Sequence, residues 1–477
     1  MDGGLLMIST TLSGKKETLV MKFGGTSVGT PDAMRRVVAI VTAEKKNWKN
    51  LIVVTSALSG VTDLLLKMAA GNPEILCEAS AELRQHHNEI AKALIPDKKN
   101  RVAAVSEIEK IIAQIENLCQ AIAILGESTP RIMDTIASAG ERMCIPLLAT
   151  ALSSAGIATE AIEATRLIRT DDHFTDAHPE MTKTKELTRA VLQPLLAKGI
   201  VPVITGFLAA NEKGNITTLG RGGSDYSAAL IGAVLPADDV WIYTDVDGVM
   251  TADPRLVPTA TTVPVCSYRE IAELAYFGAK VLHPKTIRPV IEAGIGLRVC
   301  NTFNPSHPGT RLVSNLEAHP GVIKAITTIR DLQLITIEGR GMLGVPGVAA
   351  RTFDTVAKSG ASVPLITQAS SEQSICFAIP SQAAVKVIEM LTTSFQGEIN
   401  RRDIDRIWAT DEVGIVTVVG EGMKSTPGIA GRVCSALGES NVNVIAIAQG
   451  SSEVSISLVV SAAQIQQALN VLHQLIQ

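Results

Sequence analysis

TLVMKFGGTSVGTPDAMRRVVAIVTAEKKNWKNLIVVT, residues 18–55, reads as strand, glycine turn, helix and strand. TLVMKF and LIVVT are short apolar runs of the kind that form buried strands. Between them, PDAMRRVVAIVTAEKKN follows a Thr-Pro start and carries apolar residues at helical spacing. Two strands joined through a helix lie parallel in one sheet, with a right-handed crossover. Further strand-like runs occur at GIVPVITGFLA, NITTL, DVWIYTDV and GIGLRVCN, with SAALIGAVL and SYREIAELAYFGAKVL as helices between them. Residues 63–155 read as mostly helical. The pattern predicts one α/β domain, three-layered around a mainly parallel sheet, over residues 18–315 behind an N-terminal extension, 1–17.

Past that domain the chain repeats itself. A shift of 81 residues aligns GRGMLGVPGVAAR (339–351) with GEGMKSTPGIAGR (420–432), and ITQASSEQSI (366–375) with IAQGSSEVSI (447–456). Residues 338–379 and 419–460 share 16 identities in 42 positions, so two copies of one small unit follow the large domain. Each copy reads strand, helix, strand, strand, helix, and NRRDIDRIW adds a strand after the first. VIKAITTI, residues 322–329, is a strand left over ahead of the first copy. It is expected to complete the second unit's sheet, nesting 330–402 inside a unit made of 316–329 plus 403–477.

Composition removes several classes. Hydrophobic residues make up 46% of the 477 and charged residues 19%, enough for sizeable cores. Net charge is −4, with no basic block to neutralise a run of phosphates, so nucleic acid is not an expected partner. No apolar run reaches the roughly 18 residues of a membrane span, and the start lacks a signal-peptide pattern, so a cytoplasmic protein is expected. The seven cysteines form no C-x-x-C pair and the histidines no H-E-x-x-H, so neither disulfides nor a metal site is expected. His86 and His87 sit in a polar helical stretch and are expected on a solvated face.

Two glycine turns follow strands and precede helices, KFGGTS (22–27) and GRGGSD (220–225). Such turns aim backbone N–H groups at an anion. Neither is a P-loop; Lys22 comes before its glycines, where its ammonium can reach the anion they cradle. Gly339, Gly341 and Gly344 match G-x-G-x-x-G, but the repeat carries Ser425 at the third glycine and the next strand, SVPLIT, ends without an acidic residue. A dinucleotide site is therefore not expected there. YTDVDGVMTADPR (243–255) packs Asp245, Asp247, Asp253 and Arg255 into a loop after a strand, the end of an α/β sheet where sites lie.

Taken in order, KFGGTSVG (22–29), TSALSGVT (55–62), ASAGER (137–142), TGFLAANEKGNITTLGRGGSDYSAAL (205–230), YTDVDGVMTADPR (243–255) and ELAYFGAKVLHPKT (273–286) resemble the signature blocks of aspartate kinase. The repeats resemble its paired ACT domains. The resemblance implies an amino acid kinase fold followed by two ferredoxin-like βαββαβ ACT units. It implies transfer of the γ-phosphoryl of ATP, with Mg²⁺, to the β-carboxylate of L-aspartate, the first step toward lysine, methionine and threonine. The form implied is monofunctional, since no homoserine dehydrogenase segment follows the second repeat in this sequence.

The resemblance assigns Lys22 to the moving phosphoryl and Lys280 to the nucleotide phosphates as a second cation. Asp225 would organise Lys22. Arg221 would take the substrate α-carboxylate, for which a planar fork suits better than an ammonium, and Glu141 the α-ammonium. Ser56, Thr62 and Ser224 supply hydroxyls near the acceptor carboxylate. Gly24, Gly25, Thr244, Asp245, Met250, Asp253 and Arg255 would surround the nucleotide; Met250 departs from the family's usual aromatic. Gln368 and Gln449 end matched strands ahead of Ser-Ser-Glu turns and would hold an amino acid effector, threonine favoured over lysine, in a homodimer or higher homo-oligomer. A glutamate or acetylglutamate kinase, or an inactive amino acid sensor, are the competing readings.

Overall fold

The computed structural model describes residues 16–70, 72–279, 282–314, 323–342, 345–368, 373–450 and 453–476. Two compact units form. One holds the chain up to Asp247 together with Lys285–Arg311, and the other holds Gly248–Pro284 and Leu312–Gln477. No helix among the described residues is long and apolar enough to cross a membrane.

The first unit is built on six parallel strands: β1 (Lys16–Phe23), β2 (Trp48–Thr55), β3 (Thr159–Ile162), β4 (Val201–Thr205), β5 (Asp239–Thr244) and β6 (Gly296–Asn301), in the order β3-β4-β2-β1-β5-β6. Register decides where the strands end together. Phe23 pairs with Thr55 and with Tyr243, and Thr55 with Thr205, so the loops starting at Gly24, Ser56, Gly206 and Asp245 leave from one edge of the sheet. That carboxyl edge is where ligands bind in open α/β sheets.

The crossover from β1 to β2 follows from its residues. Thr30 accepts from Ala33 N at 3.1 Å, Pro31 opens the helix Pro31–Asn47, and Asp32 and Lys45 complement its dipole. Met34, Val37 and Val41 form its buried stripe against the sheet. The expected helical region becomes Pro73–Leu94, Lys98–Leu125, Pro130–Ala137 and Ala139–Ser154. His86 and His87 depart from the expected solvated face. His87 is buried with its pKa pushed down to about 4 by desolvation, and the half-buried His86 bonds Gly29 O at 2.8 Å. Packing of the neighbouring helices covers a face whose local sequence looks polar.

GIVPVITGFLA, read as one strand, is two. β4 stops at Thr205, and Phe207 turns left-handed, φ 70°. Leu208–Asn211 then joins Arg169–Thr170 and Ile216–Thr218 in a separate small sheet. Gly206 permits this break, since a Cβ there would lie 2.6 Å from Ser224 Cβ.

The seven-stranded sheet of the second unit is made of β7 (Ala325–Glu338), β8 (Leu365–Gln368), β9 (Ser374–Pro380), β10 (Arg406–Ala409), β11 (Val413–Val419), β12 (Ala446–Gln449) and β13 (Ser455–Ser461). They run β8-β9-β7-β11-β13-β12, with β10 also on β7. Residues Ala325–Ile329 of β7 pair with β11 of the second repeat, and Leu332–Glu338 pair with β9 of the first. One strand thus serves both copies, with an irregularity between Ile329 and Leu332 and Asp331 at φ 58°.

Within this unit Glu270 is fully buried. It accepts from Ser267 N and Glu421 N at 2.8 Å each and from Lys324 Nζ at 3.2 Å. Removing one partner of a buried pair strands the other charge. Lys324→Met is therefore expected to destabilise this unit by about 3–5 kcal/mol in chemical denaturation. A loss under about 1 kcal/mol would mean that backbone donors alone hold Glu270.

Candidate active site

At the carboxyl edge of the first unit lies a cleft of about 300 Å³ lined by Lys22, Ser56, Thr62, Glu141, Phe207 and the run Gly220–Asp225. Seven of the eight residues assigned to catalysis or substrate binding are thus brought together from four separate chain segments. Lys280 lies outside the described residues.

Lys22 is the next-to-last residue of the central strand, is buried, and places Nζ 2.5 Å from Asp225 Oδ1. Asp225 sits in the first turn of the helix Gly223–Val234, where the dipole favours a carboxylate. The turn ahead of it needs its glycines: Gly220 and Gly222 are left-handed at φ 73° and 75°. A Cβ on Gly223 would come 2.8 Å from the Phe207 ring. Arg221 rides on this turn, exposed, and no protein group among the described residues pairs with its guanidinium.

Glu141 lies in the first turn of Ala139–Ser154, 4% exposed, with Oε2 lacking any partner among the described residues. Burial pushes its pKa up to about 8, against backbone donation from Ala57 and the field of Lys22. Gly140 lets this helix approach so closely, because a Cβ there would lie 2.6 Å from Ala57 Cβ. The cleft therefore offers an ammonium paired to a carboxylate, an unpaired guanidinium, and a buried carboxyl group with one oxygen unsatisfied.

Gly24, Gly25, Thr244 and Asp245 stand at the adjacent strand ends. Gly24 N donates to Tyr243 O at 3.2 Å, and Thr244 Oγ1 donates to Asp245 Oδ1 at 3.0 Å. Met250, Asp253 and Arg255 belong to the second unit, where Arg255 pairs with Asp253 at 2.6 Å and Met250 Sδ accepts from Thr262 Oγ1 at 3.7 Å. In that unit a cavity of about 380 Å³ is lined by Gln368 and Ile375 together with Met342 and the run Val345–Ala349. Gln449, at the end of β12, is exposed and is not among its lining residues. Gly344 and the residues 369–372, 451 and 452, where both Ser-Ser pairs fall, are outside the described set.

Sequence reasoning missed Asp134. This buried carboxylate accepts from Thr175 N at 3.0 Å, Thr218 N at 3.0 Å and Thr218 Oγ1 at 2.8 Å, fixing the strand that feeds the glycine turn. Its signal was an aspartate on the apolar stripe of the helix Pro130–Ala137, beside Ile136 and Ala137. Phe207, with its left-handed backbone, carried no signal of comparable kind.

A parallel sheet with glycine turns, a lysine and an arginine gathered at its carboxyl edge is the framework of a small-molecule phosphotransferase. Residues 17–301 match the amino acid kinase family, and residues 335–395 and 416–475 match the ACT domain. The chain belongs to the amino acid kinase family. It is 36% identical over 470 residues to the bifunctional aspartokinase/homoserine dehydrogenase of Haemophilus influenzae, covering 95% of this chain and 56% of that one. The chain spans about half the length of the bifunctional relatives it matches. Lysine-sensitive aspartokinase 3 of Escherichia coli is 32% identical, covering 96% of this chain and 98% of that protein. The crystal structure of E. coli aspartokinase III with aspartate and ADP, in the R-state, superposes with a TM-score of 0.79 at 32% identity, over 96% of this chain and 99% of that one.

Proposed function

We propose that this protein transfers the γ-phosphoryl of ATP to the β-carboxylate of L-aspartate, giving 4-phospho-L-aspartate. The observation that carries the reading is the meeting, in one cleft, of the Lys22–Asp225 pair, the unpaired Arg221 and the unsatisfied Glu141. An amino acid acceptor presents an α-carboxylate and an α-ammonium. The first suits a guanidinium fork and the second a buried carboxylate. Its side-chain carboxylate then faces Ser56, Thr62 and Ser224. Lys22, held by Asp225, neutralises charge on the group in flight, which is the main demand of phosphoryl transfer. The solved E. coli relative with aspartate and ADP supports the same choice of substrates.

In the first unit the nucleotide falls to Gly24, Gly25, Thr244 and Asp245; for Met250, Asp253, Arg255 and Lys280 the nucleotide role rests on the family resemblance alone. Mg²⁺ accompanying ATP would offset the charge of its phosphates. The residues fit such an arrangement: Asp225 is committed to Lys22 and Glu141 to an ammonium, and Mg²⁺ needs few protein ligands beside phosphates.

Hydroxylamine trapping of the acyl phosphate with aspartate, glutamate and N-acetylglutamate in parallel tests the acceptor. Aspartate is expected to give the highest kcat/KM. N-acetylglutamate lacks the ammonium that Glu141 awaits, so a preference for it would overturn the assignment.

Glu141 also sets a pH dependence. Its raised pKa, about 8, means that the charged form needed by the ammonium becomes scarcer as pH falls. The KM for aspartate is expected to rise roughly tenfold per unit below pH 7 and to level off above about pH 8. Steady-state kinetics from pH 6 to 9 would read this. A flat KM, or one whose slope survives in Glu141→Gln, would assign the ammonium elsewhere.

The second unit is read as a regulator: ACT units 330–402 and 316–329 plus 403–477, behind a catalytic domain 18–315. Pairing of Ala325–Ile329 with β11 supports giving that strand to the second ACT unit, whereas β10 pairs Ile335–Glu338 and so goes with the first ACT unit, past the boundary at 402. An end-product amino acid would bind beside Gln368, with Gln449 as its counterpart in a homo-oligomer. The described residues lining the Gln368 cavity carry an amide and no carboxylate, which favours threonine over lysine, although the E. coli relative is lysine-sensitive. Seven free cysteines suit a reducing cytoplasm, and the product would feed lysine, methionine and threonine synthesis.

A further inference from the structure

The loop DDHFTDAHPE, residues 171–180, links the short strand Arg169–Thr170 to the helix Met181–Ala197 and takes no part in the chemistry above. It closes on itself: Asp171 N donates to His178 O at 3.1 Å, and Thr170 bridges Pro179. Asp171 Oδ1 accepts from His173 N at 3.2 Å and His178 N at 3.0 Å. This fixes the carboxylate and leaves Oδ2 facing both imidazoles, with His173 Nδ1 at 2.9 Å and His178 Nδ1 at 3.3 Å. The two rings stand edge to face, 5.8 Å between centroids. The three ligand atoms lie within 4.8 Å of one another.

We propose that Asp171, His173 and His178 form a binding site for one divalent transition ion of the zinc class. Bonds of about 2.0–2.2 Å in a tetrahedron place neighbouring ligand atoms roughly 3.3–3.5 Å apart; the two oxygen–nitrogen spacings of 2.9 and 3.3 Å are near this, and all three atoms lie within 4.8 Å. Two imidazole nitrogens and one carboxylate oxygen are the donors such an ion prefers, with water left for the fourth position. The backbone donors on Oδ1 are the outer-shell support that orients a ligating carboxylate. Asp172 is turned to other work, bonded by Asn211 Nδ2 at 2.6 Å with Lys213 at 3.7 Å, so the site is a specific set of three groups. Simple hydrogen bonding of two imidazoles explains one Nδ1 at the carboxylate well. It leaves unexplained why two exposed rings converge on a single oxygen at ligand spacing.

The site is built into a loop that supports the cleft. Two residues past His173, Thr175 N donates to Asp134, and Ala177 N donates to Thr218 O at 2.8 Å. Asp176 pairs with Lys285 and lies over Gly220, where a Cβ would meet its Oδ1. Bound metal would therefore tie down the segment against which the Arg221 turn rests.

The test uses the full chain titrated with Zn²⁺ against a chromophoric chelator, and with Co²⁺ for its visible tetrahedral bands, in the wild type and in the His173→Ala/His178→Ala double variant. Both rings are exposed, so the variant is expected to fold normally, checked by circular dichroism. One ion per chain is expected, with affinity falling by more than about 100-fold in the double variant, beyond the 10- to 100-fold cost of losing an outer-shell group. Absence of any bound ion in the wild type would overturn the proposal. So would unchanged affinity in the variant, or cobalt spectra showing thiolate ligation by the exposed Cys77 or Cys434 alone.

Discussion

Lys22→Ala is expected to lower kcat by about 100- to 1,000-fold, the cost of about 3–4 kcal/mol for deleting one preorganised charge-stabilising donor. The group is buried near the end of the central strand, and its only partner among the described residues is Asp225. Truncation leaves a cavity where a cation met the phosphoryl group, and water that enters cannot supply a fixed charge. Binding of aspartate should change far less, because its α-groups are held elsewhere. Single-turnover and steady-state rates with the purified variant separate the two effects. Near-normal kcat would remove Lys22 from the mechanism. Asp225→Asn should show a smaller fall, since the ammonium remains and only its restraint is lost.

Arg221→Lys is expected to raise the KM for aspartate by about 10- to 100-fold while moving kcat little. Two parallel charge-assisted hydrogen bonds become one point contact, and such bonds contribute about 1.5–3 kcal/mol. Exposure on the rim lets the lysine reach solvent without straining the turn, so the change isolates the fork from the charge. An unchanged KM would mean that the α-carboxylate is held by another group. A parallel loss in kcat would instead place Arg221 on the transferring phosphoryl.

Much of this arrangement was legible in the sequence because it is local. Strand-turn-helix periodicity at 18–55 and the glycine runs at 24 and 220 carry their backbone demands in their own residues. The internal repeat is legible for the same reason, and even the displaced strand at 322–329 could be read as an odd remainder. Long-range cover left less trace. His87 looked solvated because nothing in its own helix tells that other helices bury it. The split of GIVPVITGFLA depends on Ser224 pressing against Gly206, a contact between residues 18 apart in the chain. Asp134 accepts from Thr218, 84 residues away, and only a misplaced charge on an apolar stripe announced it. The convergence of Asp171, His173 and His178 is local in sequence but depends on backbone closure that periodicity does not encode.

The shared strand β7 bears on how this chain can be divided. Because Ala325–Ile329 serve the second copy and Leu332–Glu338 the first, no single cut liberates either copy intact. A fragment beginning after residue 402 would lack its outer partner strand and expose the bare edge of β11 to self-association. A duplicated gene segment has in this way become indivisible, and insertions at the junction near Asp331 would disturb both halves at once.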